Sequence, residues 1–172
     1  NMAWNFRLDQ VKLKYPDLDG WALQSPSTGR IAAGQAQLSQ SCWQSGEALL
    51  CLKGQQANEE IQANFSLTDL PFSYFSHFLP PDIDVQGSLS GKGAFSQAKN
   101  KIPSAAIDFD TTRVRLLSRE SSDEMQKDAL VIELQPGDIH LQMQQGKLQA
   151  SVKLPLSETD GLELQAAISP GQ

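Results

Sequence analysis

Positive charge is scarce in this chain: 14 Lys and Arg stand against 20 Asp and Glu, a formal net charge of −6. The basic residues are scattered among acidic ones. Pairs such as Lys12 and Lys14 or Arg113 and Arg115 sit two apart, as on the solvated face of a strand. Nucleic acid is thereby excluded as a partner, because binding phosphates needs clustered Lys and Arg. Long apolar runs are lacking too, with nothing near the ~18 consecutive apolar residues of a transmembrane helix. No secretory leader is expected either, and the opening Asn1-Met2-Ala3 reads as a cloning remnant. The expectation is one domain-sized segment, residues 4–172, of a longer protein.

Catalytic chemistry is equally sparse. The two histidines have no partners suited to catalysis. His77 lies between Phe75 and Phe78, and His140 shares a strand face with Asp138, which reads as a surface ion pair. Asp108 and Asp110 also share a face, but a general acid and base need environments that split their pKa values. Gly87, Gly91 and Gly93 lie in strand phase and open no helix, so they are not a phosphate loop. Asn64-Phe65-Ser66 matches a glycosylation acceptor but falls mid-strand. No catalytic residue, cofactor-binding residue or metal ligand is expected, and the chain reads as non-enzymatic with no cofactor.

What the sequence does have is alternation. Aromatic residues make up only 7% of the chain, yet the 40% apolar share suffices for a core, and that share recurs at period two. Ile61, Phe65 and Leu67 mark one such stretch, with Ala63 between them. Val85, Gly87, Leu89, Gly91, Gly93 and Phe95 mark the next. Ile107, Phe109 and Thr111 come after it, and then Val114 and Leu116 after a phase change that predicts a bulge. Leu130, Ile132 and Leu134 form another run, as do Ile139, Leu141 and Met143. The last are Leu148, Ala150, Val152 and Leu154, and finally Leu162, Leu164, Ala166 and Ile168. One apolar and one polar face per strand is the pattern of antiparallel sheet. The fold class is therefore all-β.

Cys42 and Cys51 are the one sharp local constellation. Strand-like residues, Ile31 to Leu38 and Leu49 to Leu52, flank a short polar loop. A hairpin there sets the two sulfurs across the ladder, close enough for a bridge. A bridge points to an oxidising compartment; the alternative is two buried free thiols. A metal site would need more Cys or His nearby than the chain has.

The N-terminal strand, Trp4 to Tyr15, changes phase near Asp9-Gln10. Pro16 to Gly20 then reads as a turn, Trp21 to Gln24 as a strand and Ser25 to Gly29 as the next turn. The Ile61 strand ends at Thr68-Asp69. Phe72, Phe75 and Phe78 or Leu79 then recur at three or four, between Pro71 and the Pro80-Pro81 stop. This predicts a short amphipathic helix over about 71–79, capping an open end of the sheet or contacting lipid or a partner. The charged stretch 118–128 has no apolar periodicity and reads as a flexible loop. Turns at Gln145-Gly146 and at Glu158 to Gly161 complete a meander of strand, tight turn, strand.

Taken in order, Cys42-Trp43, Leu50-Cys51-Leu52, an alternating strand, Leu70-Pro71 with its Phe-rich helix, Leu79-Pro80 and then Gly87-Ser88-Leu89-Ser90-Gly91 resemble the C-terminal region of the TamB family. The resemblance implies a long, curled, mainly meandering sheet open as a U-shaped groove, a β-taco, with an apolar concave face. It also implies a periplasmic location, as part of a protein anchored in the Gram-negative inner membrane by a segment outside this sequence. The implied partners are phospholipid acyl chains, a TamA-like outer-membrane barrel and outer-membrane protein substrates. The candidate groove-lining residues are then Ile61, Phe65, Leu67, Val85, Leu89, Phe95, Ile107, Phe109, Leu130, Ile132, Leu134, Ile139, Leu141, Met143, Leu148, Val152, Leu154, Leu162 and Leu164.

Three readings are open. The first is a lipid-conducting segment of a bridge between membranes. The second is a scaffold offering an open sheet edge to outer-membrane protein strands. The third is a closed β-sandwich that binds another ligand through its loops.

Overall fold

In the computed structural model, residues 2–15, 18–118, 131–157 and 159–169 are described. Among the described residues there are fifteen strands and one short helix. The first seven are β1 (Ala3–Leu8), β2 (Lys12–Tyr15), β3 (Leu18–Leu23), β4 (Ser27–Ala32), β5 (Gln35–Ser45), β6 (Ala48–Ala57) and β7 (Glu60–Pro71). A 3-10 helix, Phe72–Phe78, comes next. The remainder are β8 (Ile83–Gln86), β9 (Ser88–Gln97), β10 (Ser104–Thr111), β11 (Val114–Ser118), β12 (Val131–Leu134), β13 (Asp138–Gln144), β14 (Lys147–Pro155) and β15 (Gly161–Ile168).

The main sheet runs β1-β4-β5-β6-β7-β9-β10-β13-β14-β15, with β3 alongside β5 and β2 alongside β3. Every pair is antiparallel, as one-sided alternation requires. A second, three-stranded sheet has the order β12-β11-β8. The main sheet is curled and does not close into a barrel. Its surface shows how open it is: 12699 Å² is accessible, against about 8,300 Å² for a compact monomer of this mass. Only Ala48, Cys51, Val85 and Val114 form a buried apolar core among the described residues. A sealed sandwich is excluded.

The two sheets are parts of the same long strands, broken along a crease. β8 and β9 are interrupted at Gly87, β10 and β11 at Thr112-Arg113, and β12 and β13 at residues 135–137. Gly87 has φ +119°, and a Cβ there would stand 2.7 Å from the Arg113 carbonyl oxygen, so only glycine fits. Breaking a strand strands backbone donors, and short hydroxyl side chains take them up. Thr112 Oγ1 accepts from the Ser88 N–H at 2.8 Å, and Thr111 Oγ1 from the Gly137 N–H at 3.0 Å. Ladder bonds persist through the bend, with the Thr111 N–H donating to Gly137 O and the Gln135 N–H to Pro155 O. Two bulges behave alike. At the β5 bulge the Thr28 N–H donates to Ser39 Oγ, and at the β7 bulge the Asp69 N–H donates to Ser90 Oγ.

Several expectations change in detail. The strand from Ile61 does not stop at Thr68-Asp69 but bulges there and continues to Pro71, because Ser90 satisfies the freed amide. Ser27 to Gly29 belong to β4, not to a turn. Ile31 to Leu38 is a hairpin rather than one strand, turning at Ala33-Gly34. The helix is 3-10, which matches the spacing of three between Phe72, Phe75 and Phe78. The phase change after Thr111 is the crease, and β11 beyond it joins the other sheet. Pro16, Asp17, Glu158 and residues 119–130 lie outside the described residues, as does most of the expected loop.

Candidate functional site

Strand register decides which side chains share a face, since directly opposed residues point the same way. One row crosses the main sheet as Phe6, Gly29, Leu38, Gly54, Ala63, Phe95, Ala105, Met143, Leu148 and Ile168. Two residues along the strands, a parallel row runs Leu52, Phe65, Gly93, Ile107, Leu141, Ala150 and Ala166. A third runs Leu23, Trp43, Leu50, Leu67, Gly91, Phe109, Ile139, Val152 and Leu164. No ionisable side chain interrupts these rows. At ~4.8 Å per strand the ten-strand path makes an apolar trough about 43 Å long.

Most residues on the rows are neither buried nor fully exposed, as expected for one side of an unroofed sheet. Ile61 lies in a flanking row opposite Gln56 and Gln97. Leu89 pairs with Leu70 and Thr111 near the crease, and Leu154 pairs with Leu162. Three candidates stand elsewhere: Val85, Ile132 and Leu134 belong to the second sheet, where Leu116 lies between Val85 and Ile132. Leu130 lies outside the described residues. Leu38, Leu50, Leu52 and Ala105 share the trough face without having been singled out. Their signal was the alternation in Leu50-Cys51-Leu52.

At mid-sheet the trough holds a depression of about 380 Å³, lined by Leu38, Leu52, Phe65, Phe95, Ala105 and Ile107 around Gly54, Ala63 and Gly93. Large and small residues alternate across its floor. Phe65 and Phe109 approach to 6.1 Å between ring centroids, over the glycines of the strand between them. The 3-10 helix packs at the strand ends beside β3 and β5. Tyr74 packs on Trp21 at 6.1 Å, and its hydroxyl bonds to Ser45 Oγ at 2.5 Å and to the Asp19 carbonyl. Phe78, at 84% exposed, points to solvent.

The opposite face is polar. A row there runs Cys42, Cys51, Ser66, Lys92, Asp108, His140, Ser151 and Gln165. Cys42 and Cys51 are joined by a disulfide, so the staple lies outside the trough. His140 sits between two carboxylates, Nδ1 at 2.8 Å from Asp108 and Nε2 at 3.2 Å from Asp138. The hydrogen bond to Asp108 raises its pKa above the ordinary value; the charges of Asp138, Asp108 and Asp110 add to this, partly opposed by desolvation. Among the described residues no cluster could hold a metal ion, and no helix is long and apolar enough to cross a membrane.

No curated protein and no solved structure matches the chain. A family model does match it, over residues 1–172, and its description is TamB, N-terminal domain. The resemblance read from the motifs thus named the right family but pointed to its other end. A full-length match, together with a curled one-sided sheet, identifies the chain as a member of the TamB family, within its N-terminal domain.

Proposed function

We propose that this segment is part of a periplasmic bridge whose trough shields phospholipid acyl chains in transit between the inner and outer membranes. Family membership supports the broader role, in outer-membrane assembly or lipid transport, of a protein that extends from the inner membrane into the periplasm. The observation that carries the finer reading is the set of uncharged apolar rows, the longest continuous over ten strands, on a face open to one side. Burying a sixteen-carbon chain there gains up to about 11 kcal/mol at ~0.8 kcal/mol per methylene, before ordering costs. Uniform rows also favour movement, since successive positions along the trough offer similar environments. In this reading the chain performs no catalysis and works with a TamA-like barrel through the parent protein.

The test is a photo-crosslinking amino acid in the full-length protein in living cells, at Ile107 in the trough and at Gln142 on the polar face. Phospholipid adducts at Ile107 and none at Gln142 are expected. Equal labelling, or adducts to protein alone, refutes the lipid conduit.

A second reading has its own observation. β15 borders the sheet of this segment, and all its residues are exposed, with Leu164 at 55% and Ile168 at 63%. Such a border accepts a further strand, either the next one of the parent protein or, in the scaffold reading, one from an outer-membrane protein. Protein adducts concentrated at β15 favour this scaffold role.

A further inference from the structure

The trough's mid-sheet floor rests on two close contacts. A Cβ on Gly93 would stand 2.2 Å from the Phe65 ring, and one on Gly91 2.3 Å from the Phe109 ring. Phe65 reaches Gly93 from β7 on one side, and Phe109 reaches Gly91 from β10 on the other. Both rings therefore lie down across β9, in space that any side chain on that strand would occupy. Elsewhere on the face the same device recurs once, where a Cβ on Gly29 would meet the Phe6 ring at 2.0 Å.

A Phe on a sheet face has two ways to sit, flat against a small neighbour or upright from the sheet. Upright, its ring projects by several ångströms into the space above the strands. With glycine on β9 the flat position is open, and the depression over Gly93 keeps its volume of about 380 Å³. With a side chain at Gly93 the nearest ring atoms lie well inside contact distance, so the ring must leave the floor. It has only the lumen to enter.

We infer that Gly91 and Gly93 are the residues that set the clearance of the trough, by letting Phe65 and Phe109 lie flat so that hydrocarbon passes above them. This rests on the lipid reading and adds to it a permeation-determining position. The rings then form the surface over which a chain slides, and the glycines act by making room for them.

The experiment uses the full-length protein carrying the photo-crosslinker at Ile107, with phospholipid adducts read by mass spectrometry. Gly93→Val should lose most of the adduct, while Gly93→Val combined with Phe65→Ala, which removes the displaced ring, should regain it. If Gly93→Val fails to accumulate, Gly93→Ala takes its place, since one methyl already reaches the ring. Unchanged adduct in the single variant overturns the inference, and so does loss that the double variant does not restore. Absence of adduct in the unsubstituted protein instead overturns the lipid reading itself, and this inference with it.

Discussion

A charge in the middle of the trough distinguishes an open sheet from a sealed core. Leu141 lies on β13 between Ile107 and Ala150, and it is half-buried. Replacing it by arginine forfeits about half of the ~1.5–3 kcal/mol that full burial of a leucine contributes, so roughly 0.75 to 1.5 kcal/mol. The guanidinium need not be buried. Its stem can follow the apolar floor while the head reaches water through the open side. For a chain of this size that loss lowers the melting temperature by about 2–6 °C. In a closed sandwich the same charge would be buried unpaired and cost several kcal/mol out of a total of about 5 to 15. Circular dichroism melts of Leu141→Arg, beside Gln142→Arg on the polar face, measure the difference. The trough variant should stay folded and lose phospholipid crosslinking at Ile107, while Gln142→Arg keeps both. A fall in melting temperature beyond about 15 °C, or undiminished crosslinking, refutes the reasoning.

Three further outcomes are expected. Thiol labelling of the denatured, unreduced protein should find no free sulfur, and reduction should cost about 2.5–3 kcal/mol, the chain-entropy value for so short a loop; two reactive thiols would contradict the pairing. In the isolated segment the border strands β1 and β15, which neighbouring strands cover in the parent protein, should drive concentration-dependent association in sedimentation experiments, relieved by a proline at Gln165, and a strictly monomeric segment at high concentration counts against this. His140, whose folded pKa is raised, should titrate by NMR above its ordinary ~6.5. Its stabilising contribution is complete below that ordinary value and fades as pH rises through the folded one. Asp108→Asn should lower the midpoint, and a native midpoint at or below ~6.5 would rule out the bridge.

The faces of the strands were legible because period two is a local property. Phe65, Ile107, Leu141 and Val152 stand where alternation puts them. Trp4 to Tyr15 was expected as one strand and is two, β1 beside β4 and β2 beside β3; the phase shift at Asp9-Gln10 marked where they part. The crease was not legible. Alternation carries through Val85, Gly87 and Leu89 without a phase change, so one continuous strand was expected, and only the backbone conformation at Gly87 separates β8 from β9. The same holds for Leu134 and Ile139, divided by Pro136-Gly137, where the turn chemistry was the available signal. Hidden too was the packing of Phe65 over Gly93, because the two meet across strands and the sequence places them 28 positions apart. Its only trace was glycine at core-facing positions of a strand, which marks close approach of another group.

The order of the main sheet tracks the order of the chain, with each strand laid beside one that precedes it closely in sequence. Contacts that close short loops form quickly, so a chain emerging N-terminus first can add strands to an existing edge without waiting for its far end. The hairpin of β5 and β6, covalently locked by Cys42 and Cys51, is an early template for that growth. Stability in such an array is mainly a sum of neighbour-to-neighbour terms. Damage to one strand therefore stays local for those already laid down, and halts the addition of those still to come.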